Sequence, residues 1–368
     1  MEKVKAFLKR KNIVLSAWRY GIEALGAMAQ GLFCTLLVGT ILNTIGQQFG
    51  IGFLKAVIVT IGSGEGAADY TVGGLASAMV GPGIALAIGY ALQCPPMVLF
   101  SLIPVGFAAN YMGGAGGPLA VYFVAIFAAE CGKIVSKETK VDILVTPIVT
   151  ILAGIGIASV IAAPIGAAAK AVGQAIMWAT ELRPFLMGVL VSVMMGIALT
   201  LPISSAAICA SFGLMGLAGG AAVAGCCAQM VGFAVMSFKE NRWGGLVAQG
   251  IGTSMLQMPN IVKNPKIWIP PILASAITGP LATCLFKLEM NGAAVNSGMG
   301  TCGLCGQIGV WTGWVNDVAN GTKEAITGFD WLGLVLICFV LPAVLSWGFC
   351  QMLRRKGWIK ENDLKLDL

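Results

Sequence analysis

The sequence predicts an all-α polytopic membrane protein with about ten transmembrane helices and two re-entrant hairpins. Three observations carry that prediction. Hydrophobic residues make up 57% of the chain and charged residues only 11%, less than half the roughly 25% charge of a water-facing domain. The charges also cluster at short junctions. Residues 70–129 and 184–238 contain no Asp, Glu, Lys or Arg, and neither do 24–54, 143–169, 243–262, 267–286, 290–316 and 331–353. Finally, these tracts are continuous rather than alternating, which favours helices over a membrane β-barrel.

Taken in order, residues 1–19 read as a basic amphipathic helix lying on the membrane surface. Val4, Phe7, Leu8 and Leu15 face lipid, while Lys3, Lys5, Lys9, Arg10 and Lys11 face anionic headgroups. No small-residue cleavage site follows, so the segment is not read as a removable signal. Spans are expected near 20–46, 70–91, 95–112, 116–134 and 142–163, forming an N-terminal half over 20–168. An amphipathic connector at 169–183 carries Lys170, Glu181 and Arg183. Spans near 184–201, 213–237, 267–287 and 331–353 form a C-terminal half over 184–353, followed by a tail at 354–368. Residues 49–62 are too short to cross and run into the polar, glycine-rich "GSGEG".

Basic segments beside spans stay cytoplasmic. Both basic ends and the loops at 133–140, 239–242 and 262–266 are therefore expected inside, and the acidic stretch 317–330 outside. The net charge of +7 is a topology signal. No basic face exists away from these junctions, so no nucleic-acid partner is expected.

Two apolar tracts look wrong for simple helices. "WGGLVAQGIGTSMLQMPNIV" (243–262) is only half apolar, and 290–312 is rich in Gly with Asn291, Asn296, Thr301 and Gln307 among them. Backbone that cannot stay helical at membrane depth must be buried in protein or line a wet cavity, and solute sites are built there. Within the second tract, "SGMGTCGLCGQ" contains both G-x-G-x-x-G and C-x-x-C. A dinucleotide turn needs a preceding β-strand, and a zinc or redox pair needs a second pair or a thioredoxin-like frame. Neither context is present. The glycines instead suit a chain reversal with close backbone approach, the tip of a re-entrant hairpin.

The eleven cysteines sit in apolar tracts and read as small packing residues, and the chain has no histidine. The usual general base and the commonest metal ligand are thus missing. No catalytic residue, metal or cofactor is assigned. What remains is an uncharged set of amides and hydroxyls suited to a neutral polyol or sugar. Ser204 and Ser205 follow Pro202 and serve either to cap the next helix or to touch a solute. Gln229 lies on the small-residue ridge 216–233, and Gln257 and Asn260 lie in the first irregular tract. Asn291, Asn296, Gly298, Met299, Gly300 and Thr301 lie in the second. Glu289, between a span and the glycine hairpin, is the sharpest candidate for accepting a solute hydroxyl or a proton, because an acidic group near membrane depth is expensive. Its alternative is an interfacial Glu paired with Lys287. Glu65 and Asp69 interrupt an earlier apolar region and read equally as loop residues.

The stretches "SKETKVDILVTPIVT" (136–150), "LTLPISSAAI" (199–208), "CCAQMVGFAVMSFKENRWGGL" (226–246), "QGIGTSMLQMPNIVKNPKIWIPP" (249–271) and "GMGTCGLCGQIG" (298–309) resemble the perfringolysin O regulator-like membrane proteins. That family is grouped with the membrane-spanning IIC components of bacterial sugar phosphotransferase systems. The resemblance implies a homodimeric carrier of the bacterial inner membrane with both termini cytoplasmic. The N-terminal half would be the dimerising scaffold, and the C-terminal half a mobile substrate domain with two re-entrant hairpins. It also implies matching Glu289 to the membrane Glu of sugar IIC domains. There is no histidine to match. The chain leaves no room for phosphocysteine IIB or phosphohistidine IIA domains, so phosphotransfer is expected only with separate IIA and IIB proteins. A transporter of a small polar, sugar-like solute is the leading expectation; a membrane sensor that binds without transport is the alternative.

Overall fold

The computed structural model describes residues 2–62 and 67–366. Glu65 and the side chains of Lys3, Val4 and Lys5 lie outside the described set. The chain divides into two compact units, Met1–Ala168 and Ala169–Leu368, and the boundary falls inside one long helix.

The first unit begins with α1 (Glu2–Arg10) and α2 (Arg19–Gln48), the latter a single run with wide π turns at Arg19–Glu23 and Phe33–Leu37. The stretch too short to cross becomes a one-turn helix, Gly52–Lys55, and an exposed two-stranded hairpin. There β1 (Val59–Ile61) runs antiparallel to β2 (Ala68–Tyr70), with Thr60 bonded to Asp69 at 2.6 Å. Helices α3 (Val72–Ala78) and α4 (Val80–Ala91) meet at 53°. Next come α5 (Pro96–Gly113) and α6 (Gly117–Val135), joined by a reversal in which Gly114 takes φ 51°. Gly113 lies against Ala120 and Gly132 against Val98, so these two helices are antiparallel. Helix α7 (Asp142–Thr180) follows. Helices α4 and α5 touch backbone to backbone: a methyl on Gly81 would lie 2.2 Å from the Gly106 carbonyl oxygen.

This unit buries a charged knot beside its basic loop at 133–140. Lys133, 1% exposed, pairs with Glu130 at 2.9 Å. Lys133 and Arg19 both donate to the Leu92 carbonyl, at 3.3 and 2.7 Å. That carbonyl belongs to the C-terminal end of α4, where the helix dipole favours cations. Tyr20 donates to Glu130 at 2.9 Å. A buried charge is tolerable only when paired and hydrogen-bonded, and this one is.

The second unit contains α8 (Pro184–Thr200), α9 (Ser205–Phe212), α10 (Gly216–Met236) and α11 (Phe238–Val247). Broken backbone over 248–264 leads into α12 (Pro265–Leu285). A second irregular stretch, 286–304, precedes α13 (Cys305–Ala319) and α14 (Gly328–Arg355). The organising element is α10. Its most apolar stretch is 94% buried, against 22% for α7. Ala221, Ala222, Ala224, Cys226 and Ala228 are wholly buried on it, and α8, α12 and α14 all pack against it. A methyl on Gly220 would lie 1.6 Å from the Leu288 carbonyl oxygen, and one on Gly225 would lie 1.8 Å from that of Ser192. Helix α7 instead exposes Leu144, Leu152 and Val160 at 61, 67 and 66%, a surface whose natural solvent is lipid.

The all-α polytopic class therefore holds. Among the described residues six helical runs are long and apolar enough to cross, or up to seven with the bent pair α3–α4. Two features separate this number from a count of apolar tracts. Pro96–Val135 is one 40-residue run by composition but doubles back at Gly114, and the apolar α8 has only 17 residues. The 243–262 tract is not a continuous helix: Arg242 at φ 52° kinks its start, and Thr253 is extended.

A Gly220→Ala substitution should lower thermal stability in detergent by about 1–3 kcal/mol, the range for overpacking. Gly156→Ala, whose new methyl meets nothing within 4 Å, should be neutral or slightly stabilising; equal effects at both sites would contradict the packing described. A pH effect is expected at the turn between α6 and α7. A hydrogen bond from Lys11, with help from Arg10 at 2.7 Å, holds the Glu138 carboxyl below its ordinary 4.5. A depressed carboxylate pKa contributes stability above the unfolded value and loses it as pH falls through the folded one. Proteolysis near residues 10–12 should therefore stay constant at neutral pH and rise below about pH 4.5, an increase that Glu138→Gln would show at every pH.

Candidate functional site

The irregular stretch after α12 alternates. Lys287 and Glu289 are exposed, whereas Leu288 and Met290 are 2 and 0% exposed, the two-residue period of extended backbone. Met290 forms a β-bridge with Gly216, its N–H and carbonyl both bonded at 2.9 Å. Leu288 and Met290 enter the apolar cluster of Val223, Cys227, Val310 and Trp314. The register turns Glu289 outward, into a cleft of about 520 Å³.

That cleft is strongly polar. Asn291 donates to Asp317 at 2.8 Å and to Glu289 at 3.3 Å. Lys323 pairs with Asp330 at 2.7 Å and lies 5.4 Å over the Trp314 ring. Trp314 is braced edge-on by Trp331 at 5.7 Å. Asp330 and Thr327 form a capping box at the start of α14, which fixes the far wall. Carboxylates beside an amide can bind a hydroxylated ring by hydrogen bonding. Glu289 and Asn291 thus share this cleft. Asp317, Trp314, Lys323 and Asp330 join them, although sequence reasoning placed 317–330 only as an external loop. The signal available was the T-x-x-D cap followed by an apolar run.

The other candidates lie elsewhere, mostly packed. Asn296, Met299 and Thr301 are 7, 2 and 0% exposed. The Gly298 carbonyl accepts from Ser205 at 2.7 Å, and Gly300 abuts the backbone of Cys226 and Cys227. Thr301 donates to the Met230 sulfur at 3.6 Å. Ser204 caps α9, accepting from the Ala207 N–H at 3.1 Å. Of the two roles open to these serines, Ser204 takes the capping one and Ser205 ties α9 to the glycine hairpin. Cys302 and Cys305 are buried thiols, 1 and 0% exposed.

Gln229 sits in the core with Thr200, Ser254 and Trp268. Its Oε1 accepts from the Trp268 indole at 2.9 Å and from Thr200 at 3.3 Å. Because an indole only donates, that contact fixes the amide orientation. Nε2 is left buried with no hydrogen-bond partner, a donor poised for an acceptor.

Gln257 and Asn260 belong to a further network that holds the chain's own tail. Gln249 donates to Ser237 and to the Gly245 carbonyl, both at 2.9 Å, and accepts from Gln257 at 2.8 Å. Gln257 also donates to the Leu364 carbonyl at 3.0 Å, and Asn260 to that of Lys365 at 2.8 Å. Asn241 grips both sides, donating to the Leu364 carbonyl at 2.7 Å and accepting from the Leu366 N–H at 2.8 Å. Asn264 holds the Trp358 carbonyl at 3.0 Å. Leu364 and Ile359 are 0 and 2% exposed. These amides read mainly peptide backbone, with one side-chain contact from Asn264 to the Asp363 carboxylate at 2.8 Å, so little in the tail's composition advertised the clasp.

Among protein families, the one described as "Phosphotransferase system, EIIC" matches residues 22–366. Neither the curated proteins nor the solved structures give a match.

The clasp makes a direct prediction. Leu364→Ala should cost about 2–5 kcal/mol, read as a lower melting temperature and faster proteolysis after α14. Glu361→Gln removes a pair with Lys239 whose side chains are 77 and 70% exposed, and it should change neither.

Proposed function

The chain belongs to the phosphotransferase system EIIC family, and from that premise we propose that this membrane sugar-transport component carries a small polar, sugar-like solute by alternating access. The observation that carries the reading is the broken, glycine-rich backbone of 286–304, whose exposed edge sets Glu289 and Asn291 in the charged cleft. Such backbone belongs in membrane proteins where a polar path must be lined. In this reading Glu289 and Asp317 accept solute hydroxyls, and Asn291 holds the two carboxylates at fixed spacing. The unpartnered donor of Gln229 offers an acceptor site deeper in the same unit, since a buried orphan donor calls for a partner.

The moving part is the unit Ala169–Leu368 and the scaffold the unit Met1–Ala168, which also forms the homodimer contact. The protein works in the bacterial inner membrane with both termini cytoplasmic. The polypeptide performs no phosphotransfer itself; where the solute is phosphorylated, separate IIA and IIB proteins do it. The narrower resemblance to perfringolysin O regulator-like proteins supports a second reading, a sensor that binds solute without moving it. One observation favours it: the core amides Gln257 and Asn260 are joined directly to the tail.

Proteoliposome uptake over a panel of labelled sugars tests both. Accumulation of one sugar supports the carrier, and saturable binding without accumulation supports the sensor. Glu289→Gln should weaken solute binding about tenfold or more, as expected for loss of a hydrogen bond to a charged group. A folded Glu289→Gln protein with unchanged binding removes the cleft from the pathway.

A further inference from the structure

A second cleft, of about 510 Å³, opens beside the start of α11 and the end of α14. Its polar lining is Lys239, Arg242, Gln351 and Arg354, and it holds no carboxylate. Its apolar lining includes Leu246 and Trp347. The cations differ in how they are compensated. Arg354, with a 15% exposed side chain, is committed to Glu240, itself 4% exposed. Lys239 meets Glu361 at 2.7 Å, but both side chains are largely exposed, a pair of little strength that can be exchanged. Arg242 is exposed and has no ion-pair partner among the described residues. Its backbone is held at φ 52°, ψ −150°, breaking α11. A non-glycine residue held there persists only because its surroundings enforce it.

The setting fixes the depth of this cleft. Trp243, Trp347 and Trp358 are 71, 52 and 44% exposed, and such indoles collect at headgroup level. Arg354 and Arg355 end α14, marking the cytoplasmic leaflet, whose surface is anionic. From the cations at its mouth the lining passes to Leu246 and Trp347, so an occupant must be anionic at one end and apolar at the other.

We propose that this cleft binds an anionic phospholipid, with the phosphodiester against Arg242 and Lys239 and an acyl chain along Leu246 and Trp347. Gln351 donates to the headgroup, while Arg354 stays paired with Glu240. Phosphatidylglycerol has this chemistry. A free phosphate would satisfy the cations and leave the apolar wall uncovered.

The test uses the full-length protein in detergent, with retained lipid counted by native mass spectrometry against added phosphatidylglycerol, phosphatidylcholine or glycerol phosphate. Phosphatidylglycerol should be retained in preference to phosphatidylcholine, and Arg242→Gln should reduce its retention about fivefold, the order expected for one basic residue facing an anionic surface. Arg242→Lys should restore most of it. Equal retention of both lipids, or unchanged retention in Arg242→Gln, overturns the proposal. Glycerol phosphate that competes at equal concentration does so too, since it shows a plain anion site. A second measurement needs no variant at Arg242. Brominated phosphatidylglycerol should quench tryptophan emission more than brominated phosphatidylcholine, and Trp347→Phe should remove most of the difference. Equal quenching by the two lipids also overturns the assignment.

Discussion

Everything in the second unit depends on how closely other backbone can approach α10. Where Gly220 meets the Leu288 carbonyl and Gly225 that of Ser192, there is no room for a single methyl group. In lipid there is no hydrophobic force to press helices together, so association rests on dispersion and close contact. Small residues convert one face of α10 into a trough, and α8, α12 and α14 share it. The same trough receives the extended 287–290 segment, whose bridge to Gly216 supplies the backbone hydrogen bonds that a helix would have made internally. Glu289 faces the cleft because Leu288 and Met290 are held in the trough on either side of it.

Much of this was legible in the residues. Long charge-free tracts required helices in lipid, and "GLAGGAAVAGCCAQ" announced a tightly packed ridge because no other role suits so many small residues in a row. The breaks at 243–262 and 290–312 were visible in glycine, proline and amide content. Partner identity was not. A buried Gln looks the same in sequence whether it meets a solute, an indole or a main-chain carbonyl. Gln229, Gln257 and Asn260 were singled out as polar residues in apolar surroundings, and each has protein partners. The cleft around Glu289 was half visible: its near wall follows from local alternation, but Asp317 and Lys323 reach it through a helix and a turn whose packing no short-range pattern encodes.

The two irregular stretches are tied down by different means. Residues 286–304 are tied to α9, α10 and the turn between them: the Gly298 carbonyl accepts from the Ser205 hydroxyl, the Ser297 hydroxyl donates to the Leu214 carbonyl, and Met290 pairs main chain to main chain with Gly216. Residues 248–264 rely on side-chain amides bonded to one another and to the tail. The first arrangement is rigid because it is built into helix packing. The second is a chain of single hydrogen bonds, each worth about 1 kcal/mol net, and it can open in steps. A protein that must both hold a polar path and change shape gains from having one of each.

The amide clasp has a consequence for biogenesis. Asn241, Gln257, Asn260 and Asn264 emerge from the ribosome about a hundred residues ahead of the carbonyls they hold. At synthesis rates of roughly 5–20 residues per second, they wait several seconds with bare polar groups, in a region otherwise bound for the bilayer. During that interval water or an insertion factor must keep them company, so maturation of this half finishes from its last residues inward.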